Sequence, residues 1–182
     1  IEPIAALAAV ERYRLNPLPK PMQERRGVHP RLYLDAARVE TLRKEIAAGD
    51  GRLETGDPRL ARTTYAGLWK EVQVLADRAA ASGPPPYREK DSYSGDEQLW
   101  QREVGNAMPS LAIAWLLTGD RKYLDAARAW ALASCAYPTW GLGRIDGMDL
   151  ATGHQLFGLA IVYDWCYEEL GEEARRTLRE TL

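Results

Sequence analysis

The stretch from Ala151 to Leu170, ATGHQLFGLAIVYDWCYEEL, constrains the fold more than any other. It reads as a helix that is apolar on nearly every side, with no charge before Asp164. A helix on the surface of a globular protein carries one apolar stripe and one charged face. A helix without the charged face needs neighbours on several sides, so the chain is expected to stack helices in layers. Gly153 and Gly158 lie inside this stretch. Each costs about 1 kcal/mol against alanine in a helix interior. They make sense where a second helix packs closely on that face.

The rest of the chain agrees with a helical reading. Val and Ile are sparse, alternating runs are absent, and Ala, Leu, Glu and Arg dominate. The spacing predicts helices over 35–48, 59–81, 96–117, 121–136, 150–170 and 172–182. Asp35 is a suitable N-cap for the first, and Ser94 with Glu97 forms a capping box for the third. Pro109 should kink or split that third helix. In Thr118-Gly119-Asp120, glycine suits the end of one helix and aspartate the start of the next. The connections alternate in length. Those after the second and fourth helices are long and rich in Pro, Gly, Tyr and Trp. In up-and-down helices alternate connections fall at the same end, so the two long loops should meet there, with the start of the fifth helix beside them.

Composition removes several classes of function. The chain has 182 residues, 24 Lys+Arg and 26 Asp+Glu, for a formal net charge of −2. With no basic block, there is no electrostatic case for a nucleic-acid partner or an anionic membrane surface. No run reaches the ~18 apolar residues of a membrane span. Cys135 and Cys166 lack metal-ligand spacing, so no metal site is expected. One disulfide is open to them, but packed thiols are the usual state of cysteines in apolar helices.

Candidate site residues cluster toward the long-loop end. His154, in the first turns of the fifth helix, can contact an anionic sugar or assist proton transfer, or it can be a core histidine bonded to a backbone carbonyl. Trp140, in YPTWGLGR, can stack on a sugar ring or plug its loop. Arg144 can grip a carboxylate or sulfate, or stay solvated. Trp100 can serve either the site or the core, whereas Trp115, Trp130 and Trp165 read as core. His29 reads as a residue set at the start of the first helix. No nucleophile motif, phosphate-cradling loop or argued carboxylate pair is present.

Three segments together resemble a known family: HPRLYLDAARVETLRKEI, WQREVGNAMPSLAIAWLLTGDRKYLDAARAWALASCAYPTWG and DLATGHQLFGLAIVYDWCYEELGEEARRTLRETL. They are similar to the N-terminal helical domain of the heparinase II/III-like polysaccharide lyases, which include alginate and oligouronide lyases. The resemblance covers 28–182 and leaves 1–27 as an N-terminal extension. It implies an all-α fold, the first part of an (α/α) toroid of antiparallel hairpins, cut short at its C-terminal end. It also implies an acidic polysaccharide as partner, β-elimination at a uronic acid, no cofactor, and a periplasmic or secreted location. In that family an Asn or His neutralises the uronate, and Tyr or His residues move the protons. None of these can be matched to a position here, so no catalytic residue is assigned. His154, Trp140, Arg144 and Trp100 are the expected substrate contacts, and self-association through the open toroid edge is expected. The alternative is a helical-repeat module that binds a protein without catalysis.

Overall fold

The computed structural model describes residues 24–49, 51–52, 63–88, 95–141 and 150–182; side chains are described throughout these except at 95–98. Among them the chain is helical. The only bridge of extended type joins Arg52 to Thr64. The helices are α1 (Ala36–Ala48), α2 (Tyr65–Ser82), α3 (Gly95–Thr118), α4 (Arg121–Ala136), α5 (Leu150–Trp165) and α6 (Glu172–Thr181). A 3₁₀ turn, Tyr167–Glu169, lies between the last two.

Local chemistry sets most of these boundaries. Asp35 accepts a bond from Arg38 N at 2.9 Å and so caps α1. Gly49 ends α1 in the left-handed region, at φ 76°. Thr64 caps α2 through Gly67 N. That cap starts α2 later than the periodicity suggested; residues 59–62 lie outside the described residues, as does the Ser94 capping box. Between α3 and α4 the expected signals hold: Gly119 N donates to Trp115 O at 2.8 Å, and Asp120 accepts from Lys122 N at 3.0 Å. The fifth helix is shorter than the expected 150–170. At Cys166 the backbone tightens, Glu169 N bonds to Cys166 O, and the last turn becomes 3₁₀.

α3 packs on α1, α2, α4 and α5 and so sits at the centre; α1 also packs on α2, α4 on α2, α5 and α6, and α5 on α6. The core is filled by Val104, Met108 and Leu111 of α3, Tyr123 and Leu124 of α4, Leu159 and Ile161 of α5, and Leu178 of α6. Burial pushes the Cys166 thiol up to about 12, so it stays a neutral packing group, and both cysteines are free.

α3 and α5 meet backbone to backbone. A Cβ on Gly105 would lie 2.4 Å from the carbonyl of His154, and one on Gly158 would lie 2.4 Å from the Gly105 oxygen. Close approach therefore explains Gly158, as expected, but not Gly153, where a Cβ would meet nothing within 4 Å. The second glycine of the pair is Gly105, on the other helix. Pro109 acts at the same place. It lies inside α3, which runs through it as one helix. Having no N–H, it leaves the Gly105 carbonyl without its in-helix donor. That oxygen faces the Gly158 Cα instead, a weak C–H···O contact.

α5 is not covered all round. Leu150, Leu156 and Phe157 are exposed, and Tyr33 packs edge-on to Phe157 with ring centroids 6.3 Å apart. The expectation of an inner helix holds for the face toward α3 and fails for the face opposite. At its far end α5 holds the segment before α1. Asp164 is 2% exposed. Its Oδ1 lies 2.6 Å from His29 Nδ1, and its Oδ2 accepts from Arg31 N at 2.7 Å and Leu32 N at 2.8 Å. His29 also stacks on Tyr167, centroids 3.9 Å apart, and Trp165 Nε1 donates to Leu32 O. His29 is thus a long-range anchor to α5 rather than a local feature of the first helix.

Two outcomes follow for stability. Gly105→Ala or Gly158→Ala should each lose about 1–3 kcal/mol or more, because a methyl group cannot fit without parting the helices. Gly153→Ala should gain about 0.5–1 kcal/mol from chain entropy alone. Urea denaturation of the three variants checks the contrast. Asp164→Ala should lose about 3–5 kcal/mol, since it strips the partner from His29 and from two backbone N–H groups at once. A loss under 1 kcal/mol in the same assay would mean that the segment around His29 is held by something else.

Candidate functional site

The described parts of the two long connections, 83–88 and 137–141, meet at one end of the helices, as the alternation of loop lengths implies. Tyr87, after α2, shares a 2.9 Å hydrogen bond with Thr139, after α4. Tyr137 Oη donates to Pro85 O at 2.6 Å. The Trp100 ring stands edge-on to both Tyr87 and Tyr137, with centroids 5.9 and 5.4 Å away. Trp100 is 6% exposed, so it braces the loops from inside. Its Nε1 has no hydrogen-bond partner among the described residues.

Trp140 also turns inward. Its Nε1 donates to Ser134 O at 2.9 Å, and the ring packs against the core. From there a chain of polar groups crosses the interior. Ser134 Oγ donates to Gln155 Oε1 at 2.5 Å, and Gly141 N donates to Gln101 Oε1 at 2.6 Å. Gln101, Ser134 and Gln155 are all buried. Together they tie the start of the α4–α5 connection to α3, α4 and α5. The bond to Ser134 O turns the Trp140 indole N–H toward the interior, while the ring stays half-buried. Arg144 lies outside the described residues.

His154 projects from the second turn of α5 and is half-buried. Its Nδ1 is 2.7 Å from Asn106 Oδ1, on the exposed side of α3. An amide oxygen can only accept, so Nδ1 carries the proton in this pair. The neutral ring then has its lone pair on Nε2, free to accept from a ligand hydroxyl. The same bond leaves the Asn106 amide nitrogen as a free donor. The two residues form one donor–acceptor unit across the α3–α5 junction, beside the glycine contact that brings the helices together.

Asn106 also borders a groove of about 380 Å³ between α2, α3 and α4. Leu75, Ala79, Ala107 and Trp130 give it apolar walls, and Arg78, Ser82, Glu103 and Ser110 add polar ones. Trp130 is held rigidly there by a 3.1 Å bond from its Nε1 to Ala79 O. Neither Asn106 nor the groove was singled out from the sequence. An asparagine inside an apolar helix carries no motif, and a groove between three helices has no local signature. Trp130 was correctly read as core, which hid its second role as a wall.

No group of three or more His, Cys, Asp or Glu side chains among the described residues is placed to hold a metal ion. No helix among them is long and apolar enough to cross a membrane. Compared with models of known protein families, the chain has no match.

The tautomer can be read directly. The chain has two histidines, so ¹⁵N spectra of the rings are simple to assign. His154 should show a protonated Nδ1 and a bare Nε2 at pH 8. In Asn106→Ala the proton should move to Nε2, the usual position for an unconstrained imidazole. A native spectrum with the proton already on Nε2 would break the Asn106 assignment.

Proposed function

We propose that the chain supplies the helical, glycan-holding part of a polysaccharide lyase acting on a uronate-containing polymer. The observation that carries this reading is the Asn106–His154 pair beside an open groove. Sugar recognition needs paired donors and acceptors on a rigid frame with apolar surface close by. Two helices locked by a backbone contact provide such a frame. The sequence resemblance to heparinase II/III-like lyases supplies the chemistry, β-elimination at a uronic acid. The all-helical fold is the coarse architecture that part of an (α/α) toroid requires. His154 holds a hydroxyl or carboxylate here and does not remove the C5 proton. A periplasmic or secreted location goes with the same reading.

A second reading has its own support. The exposed Leu150, Leu156 and Phe157, with Tyr33 beside them, make an uncharged strip on α5. Such strips are found where another protein surface packs. In that reading the helices are an interaction module, and the strip is where self-association or a partner would be seen.

The two are separated by activity and binding. On the lyase reading, this chain alone should bind oligouronides yet release no unsaturated uronate from alginate, heparin or chondroitin, as judged by absorbance against a boiled control. In a complete enzyme that contains the chain, His154→Ala should raise KM several-fold and leave kcat within about twofold, because the lost contact is common to ground and transition states. A collapse of kcat at normal KM would instead put His154 in the chemical step. On the module reading, oligouronides should not bind, and Phe157→Asp should dissolve any dimer seen by light scattering.

A further inference from the structure

We infer that the uncharged strip on α5 docks a second copy of this chain, with the two α5 helices antiparallel and Gly153 at the point of closest approach. This rests on the strip of the second reading above and adds its occupant and its register. The starting observation is a glycine with no internal reason. Gly153 is exposed near the start of α5, and a Cβ there would meet nothing within 4 Å. It weakens the helix. Unlike Gly158, it lets no described part of the chain come close. A backbone approaching from outside would use it as α3 uses Gly158.

Its neighbours give that approach a shape. Leu150, Gly153, Phe157 and Ala160 fall on one line along α5, about 15 Å long. Leu150 and Phe157 are 58% and 46% exposed, and Ala160 is half-buried. The order along the line is large, small, large, small. Read backwards it is small, large, small, large. Two such lines, antiparallel about a two-fold axis midway between 153 and 157, set Phe157 level with Gly153 of the second copy and Leu150 level with Ala160 of the second copy. Each height then holds one large and one small side chain, and the backbones can close as α3 and α5 do. A parallel pair would instead set Phe157 against Phe157 and Gly153 against Gly153, a clash beside a gap.

Charge agrees with a second copy as the occupant. Near a two-fold axis each group meets its own image, so a fixed charge there repels itself. α5 carries no Asp, Glu, Lys or Arg from Leu150 to Tyr163. The first charge, Asp164, lies beyond the strip and is taken by the segment before α1. That segment closes the strip with an aromatic rim. Tyr33 is 81% exposed at φ 59°, a left-handed conformation that strains an aromatic residue. Arg31 N and Leu32 N pin the chain just before it to Asp164, which holds the ring beside Phe157, where it would extend the contact. None of the residues lining the groove between α2, α3 and α4 belongs to the strip, so pairing and groove are tested apart.

Sedimentation velocity over a dilution series should show a monomer–dimer equilibrium. Gly153→Ala should then act with opposite signs. It should raise the urea midpoint at dilutions where the chain is monomeric, and weaken the dimer about tenfold, because the added methyl holds the backbones apart. Leu150→Cys and Ala160→Cys, each combined with Cys135→Ser, report the register. Mixed under mild oxidant, the two variants should cross-link to each other. Neither should cross-link to itself, since the two-fold sets like residues about 15 Å apart along the helices, beyond the reach of a disulfide. A dimer that Phe157→Asp dissolves but Gly153→Ala leaves unchanged overturns the pairing, as does a cysteine variant that cross-links to itself; the strip then remains an interaction face in another register. A chain that stays monomeric at every concentration overturns the second copy as occupant and leaves the strip to a different partner. A dimer that Phe157→Asp leaves intact overturns the inference and the strip reading together.

Discussion

The contact between Gly105 and Gly158 sets the spacing on which the other features depend. Without side chains at those two positions, α3 and α5 come together at backbone distance. That closeness lets one short asparagine reach a histidine across the junction. It also lets Ser134 on α4 reach Gln155 on α5 behind it. A single methyl at either glycine would push the helices apart, and hydrogen bonds of 2.5–2.7 Å on both sides of the junction would open with it. Packing, internal polarity and the candidate site are therefore coupled through one van der Waals limit, because a close-packed interior transmits displacement rather than absorbing it.

At the other end of α5 the coupling is electrostatic. Asp164 is the first charge after a long uncharged run, and it is almost fully buried. A buried carboxylate survives only when its lone pairs are taken, and three donors take them. All three come from the segment before α1. The chain thus fixes its N-terminal approach through a charge placed more than a hundred residues later. This arrangement leaves α5 rigid at both ends, by steric contact near its start and by hydrogen bonding near its finish.

The sequence was most legible where signals are local. Helix existence, the Gly119–Asp120 junction and the Asp35 cap rest on residues within a few positions of the feature they control, and each reads correctly. The meeting of the two long loops was legible too, because it needs only the parity of successive connections. What escaped was set by pairing at a distance. Gly153 and Gly158 look alike in sequence, and only the partner helix tells them apart. His29 looked like a residue of the first helix because its partner, Asp164, is far along the chain. Trp100 and Trp140 look like sugar platforms in a loop-rich region, but each lies against the interior, where buried surface is worth more than exposure. The end of α5 was overrun because Leu170 keeps the helical apolar spacing past Cys166 while the backbone tightens into a 3₁₀ turn.

The same reasoning shows why the proposed site centres on Asn106. The large aromatic rings at the loop end pack on one another and on the core, and Trp100 is buried there. A short amide on the exposed side of a fixed helix loses little by being presented to a ligand, since its frame is already rigid. It also has both hydrogen-bond polarities, so it can set the tautomer of one neighbour while keeping a donor for another. His154 gains from this what an isolated surface histidine lacks, a defined lone pair in a defined direction. Preorganisation of that kind lowers the ordering cost of binding without adding contacts. In the proposed function the recognition chemistry sits on the two helices that the glycines have already locked, which is where a ligand can be held with the least rearrangement of the protein.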